Sequence, residues 1–192
     1  MPPVSEFAPR DDPSGFYLEF IAPLVGGEVK RGGRVASTVN VGGTTAQLLR
    51  YVDLLLILPW KIRLSEEVGF PLAEPTTIQV ANPASYVVQK VLALQKRHPA
   101  KQPKDVLYLH DTFVAFADAM PRVRTAWDAL RPRMIPAHVR TFQARAKGLA
   151  SEATDLARSA ARIAADRPRP PTPALIQSVL QRGFREGFDV RL

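Results

Sequence analysis

The alternation of apolar and polar positions predicts a strand-rich first half of the chain. Apolar and aromatic residues alternate over Phe16–Ala22 and again over Val35–Val41, which predicts two strands. A short strand is expected at Thr76–Val80, and Leu55–Leu64 has the composition of a strand interrupted by a proline. The segment Thr44–Leu56 is expected to form a helix followed by a strand.

From Asn82 onward, apolar residues recur at spacings of three and four, the period of one helix face. Asn82-Pro83 predicts a helix start, because asparagine caps helices well and proline fits the first helical position. Further helical segments are expected at Pro103–Ala119, Arg122–Leu130, Pro136–Asp166 and from Thr172 onward.

These elements predict an α+β fold in which a mixed sheet precedes a C-terminal helical bundle. Three regions are expected along the chain: a disordered arm at 1–15, an α+β part at 16–100 and a helical domain at 101–192. The arm is predicted because its residues are polar and rich in proline.

Composition narrows the chemistry and the partners. The 192 residues contain no cysteine, which excludes disulfides, thiolate catalysis and zinc–thiolate sites. The net charge of +8 favours an acidic partner such as nucleic acid, although a solvated, arginine-rich surface would give the same value. The first residues lack a signal-peptide pattern, and the longest apolar run, Val52–Trp60, is too short to cross a bilayer. A cytoplasmic protein with no membrane contact is expected.

Lys90 is the residue whose position most needs an explanation. It lies in the middle of a helix face whose other members are Tyr86, Val87, Val91 and Leu94. A buried ammonium group is costly unless it meets an anion. Lys90 is therefore expected to have an anionic partner, either a carboxylate or a phosphate.

Several motifs together resemble a bacterial nucleotidyltransferase-fold family related to the AbiEii-type abortive-infection toxins. The resemblance covers about half of the chain, from Phe16 to Phe116. It is carried by Asn82-Pro83-Ala84, Tyr86 and Lys90, then by Lys104-Asp105, Tyr108 and Asp111, and upstream by Phe16–Leu24 and Thr45–Leu56.

The resemblance implies a role for four residues. Glu19 matches a metal-site carboxylate and would be both catalytic and a metal ligand. Lys90 and Lys104 would bind the nucleotide, and Asp105 would be catalytic. The cofactors implied are Mg²⁺ and a nucleoside triphosphate, and RNA is one candidate acceptor of the transferred nucleotide.

Three of these residues also have a structural interpretation. Glu19 fits the solvent-facing side of a strand. Lys90 fits an ion pair with Asp105 or Asp111, and Asp105 fits the negative charge favoured in the first turn of a helix.

The sequence also departs from the family. The Gly-Ser turn that normally opens the fold is absent, and so is the Asp-x-Asp strand whose two carboxylates hold the metal ions. The resemblance therefore implies an incomplete nucleotidyltransferase-like sheet, matching only the C-terminal half of the family fold and inactive by itself.

Three explanations follow for the missing elements: a partner chain that carries the front half, a misplaced start codon, or a non-catalytic module that binds nucleic acid or protein. An incomplete sheet would expose an edge, which favours pairing with a partner chain or a second copy.

Overall fold

A computed structural model describes residues 5–7, 18–24, 29–30, 34–35, 37–151 and 155–192. The chain divides into two compact units, Met1–Asp53 and Leu54–Leu192. Strands predominate early and helices later, which confirms the predicted α+β fold. The predicted arm at 1–15 lies outside the described residues except at 5–7.

Short strands make up the described part of the first unit. They are β1 (Glu6–Phe7), β2 (Leu18–Glu19), β3 (Ile21–Pro23), β4 (Val29–Lys30), β5 (Arg34–Val35), β6 (Thr38–Val41) and β7 (Thr44–Leu49). Strands β1 and β2 pair antiparallel, as do β4 and β5, while β3, β7 and β6 form a mixed sheet in that order.

Strand β7 is central in the mixed sheet, parallel to β3 and antiparallel to β6. Gly42 and Gly43 join β6 to β7 with φ values of 57° and 82°, which glycine adopts without strain. Among the described strands, β3 and β6 each pair on one side only. Association through such an edge stays a prediction.

The predicted order of elements in Thr44–Leu56 is wrong. The segment begins with β7 and continues into a 3₁₀ helix at Val52–Leu56. The strand forms because β7 finds hydrogen-bonding partners on both sides, and Tyr51, with a φ of 64°, ends its extended course. Leu55–Leu64 becomes a strand only after Pro59, where Trp60–Leu64 pairs antiparallel with Thr76–Val80.

The second unit begins with a hairpin and continues with helices. Its elements are β8 (Trp60–Leu64), β9 (Thr76–Val80), α1 (Pro83–Leu94), α2 (Gln102–Ala115), α3 (Met120–Leu130), α4 (Pro136–Ser151), α5 (Asp155–Ile163) and α6 (Pro173–Phe188). The long helical segment predicted from Pro136 is thus described as α4 and α5, on either side of residues 152–154. None of the helices in the described ranges is long and apolar enough to cross a membrane.

Asn82 explains why α1 starts at Pro83. Its Oδ1 accepts a hydrogen bond from the Ser85 backbone N–H at 2.8 Å, as expected of a cap. Its Nδ2 donates to the carbonyls of Ile57 and Leu58, both at 3.0 Å. The buried amide therefore ties the start of α1 to the residues that precede β8. Thr172 caps α6 in the same way, since its hydroxyl accepts from the Leu175 N–H.

The core of the second unit is built around aromatic side chains. Trp127, Phe142, Phe184 and Phe188 are fully buried and stack against one another at centroid distances of 5.1 to 6.3 Å. Helix α1 packs against α2, α3 and α4, and its buried face includes Val87 and Val91. Lys90 is placed by this packing at the side of α1 that faces α2.

Candidate functional site

The buried anionic partner expected for Lys90 is Asp105. Helix α2 folds back along α1, and the Lys90 Nζ lies 2.9 Å from Asp105 Oδ1. The lysine side chain is 17% exposed and the aspartate side chain only 2%. Arg97, in the connection between the two helices, donates from Nε to the other carboxylate oxygen at 3.0 Å. One buried carboxylate thus holds two cations in place.

Two tyrosine rings complete the surroundings of the Lys90 ammonium group. Its Nζ lies 5.5 Å from the ring centroid of Tyr86 and 5.1 Å from that of Tyr108. Lys104 reaches the Tyr108 ring as well, at 5.7 Å. These distances are those of cation–π contacts. Lys90 and Arg97, which pair with Asp105, and Lys104, which shares the Tyr108 ring with Lys90, are called the cation cluster below.

The pKa of Tyr86 is shifted by its position in this site. Burial raises the pKa of Tyr86 to about 12, and the nearby Tyr108, Asp105 and Asp111 act in the same direction. Its phenol is therefore protonated at neutral pH. The site holds a neutral, polarisable ring beside the Lys90 ammonium rather than a second anion.

Asp111, one turn beyond Tyr108 on α2, belongs to a separate ion pair. Both terminal nitrogens of the Arg167 guanidinium donate to its carboxylate at 2.8 Å. This bidentate bond holds the pKa of Asp111 below its usual range, although burial acts in the opposite direction. The His110 Nδ1 lies 3.0 Å from the same carboxylate. The negative charge of Asp111 is thus balanced by Arg167. That charge does not reduce the net positive charge of the cation cluster.

Three of the four predicted site residues come together here: Lys90, Lys104 and Asp105. The fourth, Glu19, is exposed on β2 in the first unit, opposite Glu6 on β1. Within the described ranges, no group of three or more His, Cys, Asp or Glu side chains is placed to hold a metal ion. The catalytic and metal-binding roles of Glu19 and Asp105 stay predictions.

Sequence reasoning missed Arg97 and Arg167 as members of these ion pairs. Arg97 lies in an irregular connection, where no helical period marks its direction, and Arg167 lies 56 residues from Asp111. The tyrosines did leave a signal. Tyr86 stands four residues before Lys90, and Tyr108 four residues after Lys104, a spacing that brings side chains together on a helix.

Comparison with protein families matches residues 3–131 to a family described as Nucleotidyltransferase. The match covers more than half of the chain and includes the whole cation cluster. No curated protein and no solved structure matches the chain.

Proposed function

The chain belongs to the nucleotidyltransferase family, and from this membership we propose that the cation cluster binds the triphosphate of a nucleoside triphosphate. The observation that carries the proposal is the pairing of one buried carboxylate with two cations, beside a third that is exposed. Lys90, Arg97 and Lys104 bring three positive charges against the single negative charge of Asp105.

Asp105 positions the two cations without using up their donors. The Lys90 ammonium has three N–H donors, and one of them serves Asp105. Arg97 uses Nε for Asp105, which leaves its two terminal nitrogens for a phosphate oxygen. The Arg97 side chain is 34% exposed, so these nitrogens are within reach of a ligand. Lys104 adds a point charge at the surface.

Magnesium enters this proposal together with the nucleotide. Mg²⁺ is usually held by one or two carboxylates plus substrate phosphates, and when bound it neutralises the charge of the β- and γ-phosphates. Both oxygens of Asp105 already accept bonds from cations, so Asp105 suits an anchoring role. A metal-ligand role for Glu19 is proposed on the resemblance alone, and this residue lies in the first unit and is not part of the cation cluster.

The reaction of the family would transfer a nucleotide from the triphosphate to an acceptor, for which we propose RNA. We further propose that these 192 residues bind nucleotide without transferring it, since they contain no Asp-x-Asp pair. The kinship with AbiEii-type toxins and the correspondence to a C-terminal half also stay predictions.

Titration calorimetry with nucleoside triphosphates and Mg²⁺ tests the binding site. Saturable binding is expected for the wild type, and Lys104→Ala should weaken it roughly tenfold, the effect of losing a charge-assisted hydrogen bond. Lys90→Met should weaken it further. Arg140→Ala removes an exposed arginine from α4 and is the matched control for net charge. If the wild type does not bind, or if Arg140→Ala weakens binding as much as Lys104→Ala, the proposed site is wrong.

Two further measurements address metal and transfer. Glu19→Gln should weaken the binding of Mg²⁺ added without nucleotide, and an unchanged Mg²⁺ affinity would remove Glu19 as a ligand. Incubation with labelled nucleotide and RNA should give no labelled RNA. Labelling by this chain alone would refute the proposed inactivity.

A further inference from the structure

A second candidate site lies within the second unit, where β8 begins beside α3. It is a groove of about 420 Å³. Its walls include Leu58, Pro59, Trp60, Arg122, Thr125 and Ala126. This surface, called the Trp60 groove below, does not include the cation cluster.

Trp60 is held in a fixed orientation in this groove. Its indole meets the Phe116 ring edge-to-face, with a centroid distance of 5.9 Å and an interplanar angle of 68°. The Arg122 guanidinium lies over the indole, 5.1 Å from the ring centroid. Trp60 remains partly exposed, whereas Trp127, the other tryptophan, is fully buried.

Arg122 gives the groove a positive charge that is not compensated. Among the described residues, no carboxylate lies within ion-pair distance of Arg122, and it is the single charged side chain lining the groove. Its neighbour on α3, Arg124, differs: it pairs with Asp128 at 3.2 Å and with Asp189 at 3.6 Å. An arginine left without a carboxylate and stacked on tryptophan suits a ligand that is planar and anionic.

We propose that the Trp60 groove binds one nucleotide of a single-stranded RNA. The base would stack in the groove against Trp60, and its phosphate would pair with Arg122. Asn82, also in the groove wall, has its amide fully engaged with Ile57, Leu58 and Ser85. Recognition would therefore come from stacking and charge, which tolerate any base sequence. This inference depends on the proposed function only for the choice of RNA.

Fluorescence anisotropy of a labelled single-stranded RNA, without nucleotide or Mg²⁺, tests the inference. An oligonucleotide of roughly ten residues spans a typical single-strand site. Trp60→Leu is expected to weaken binding roughly five- to 150-fold, the range for losing one base–aromatic stack. Arg122→Ala should also weaken binding, while Arg140→Ala should change it by less than about twofold.

Tryptophan emission provides an independent signal. RNA should quench the wild-type emission through Trp60, and the emission left in Trp60→Leu comes from the buried Trp127 and should not respond. Far-ultraviolet circular dichroism checks that each variant is folded. If Trp60→Leu proves unfolded, the RNA affinities of Arg122→Ala and Arg140→Ala still test the inference. Both arginines are exposed on helices, so both variants should fold.

Several outcomes would overturn the inference. One is equal affinity of the Trp60→Leu, Arg122→Ala and Arg140→Ala proteins. Another is equal binding of duplex RNA, since a paired base cannot enter the groove. A third is that Trp60→Leu binds RNA as the wild type does but no longer self-associates. The groove would then be a contact between protein chains. If RNA binding fails this test while nucleotide binding is intact, the proposed function still stands.

Discussion

Breaking the pair formed by Lys90 and Asp105 should lower the stability of the second unit by a few kcal/mol. At 2.9 Å the direct attraction is about 6 kcal/mol for an effective dielectric constant of about 20. Much of this offsets the removal of both charges from water. Breaking a buried ion pair nevertheless costs about 3–5 kcal/mol, because one charge is left uncompensated.

The exposure of the remaining charge, and the partner left to it, decide how far each variant falls toward or below the lower end of this range. Asp105→Asn should cost about 3 kcal/mol, the lower end, because Lys90 and Arg97 are 17% and 34% exposed and regain some water. Lys90→Met should cost less, about 2 kcal/mol, because Arg97 still donates to the carboxylate. Lys104→Met is the control. It removes an exposed lysine near the same ring and should cost below about 0.5 kcal/mol.

Urea denaturation followed by circular dichroism measures these differences, and the double variant Lys90→Met/Asp105→Asn measures the coupling. Neighbouring charges in one network should give a coupling energy above about 0.5 kcal/mol. If Lys90→Met costs no more than Lys104→Met, or if the two single effects add without coupling, the ion pair does not hold α1 against α2. The anchoring role given to Asp105 would then be wrong.

Three other outcomes can be measured by the same method. The pKa of Tyr86 is raised from 10.0 to about 12, so the folded state favours the protonated phenol. The stability that this contributes is complete below pH 10 and is lost as the pH rises toward 12. Tyr86→Phe should therefore lose less stability than the wild type between pH 10 and pH 12. The pKa of Asp111 is lowered by Arg167, so Arg167→Ala should cost about 0.5–1 kcal/mol at neutral pH, and the difference should vanish as the pH falls below about 4. Gly183→Ala would place a Cβ against the buried ring of Phe113 and should cost about 1–3 kcal/mol, whereas Gly148→Ala meets nothing within 4 Å and should be neutral or stabilising. Equal effects of the two glycine substitutions would contradict the close approach of α6 to α2.

Elements that depend on local chemistry could be predicted from the sequence. The starts of α1 and α6 are fixed by Asn82 and Thr172, whose side chains bond to backbone groups three residues away. The strand at Thr76–Val80 was also predicted with its bounds, because its composition and its flanking prolines act locally. The order of elements in Thr44–Leu56 was not, since β7 is a strand through its pairing with β3 and β6.

The candidate site divides in the same way. Burial of Lys90 on an apolar helix face predicted an anionic partner, and Asp105 was one of two carboxylates considered. Arg97 was not predicted as a second partner, because the direction of its side chain depends on how the connection between α1 and α2 closes. The Trp60 groove was not predicted either, since β8 and α3 approach each other only in the folded unit.

Because of the Asn82 amide, the geometry of both candidate sites should not depend on the length of the connection between β8 and β9. It bonds to a carbonyl 25 residues earlier in the chain, and so closes the hairpin at its base rather than at its tip. Trp60 and the first turn of α1 are therefore fixed to each other by that bond and by strand pairing. Residues 66–75, at the exposed far end, can gain or lose residues at little cost in free energy. Insertions between homologues, or a label or tag placed by an experimenter, belong at this tip.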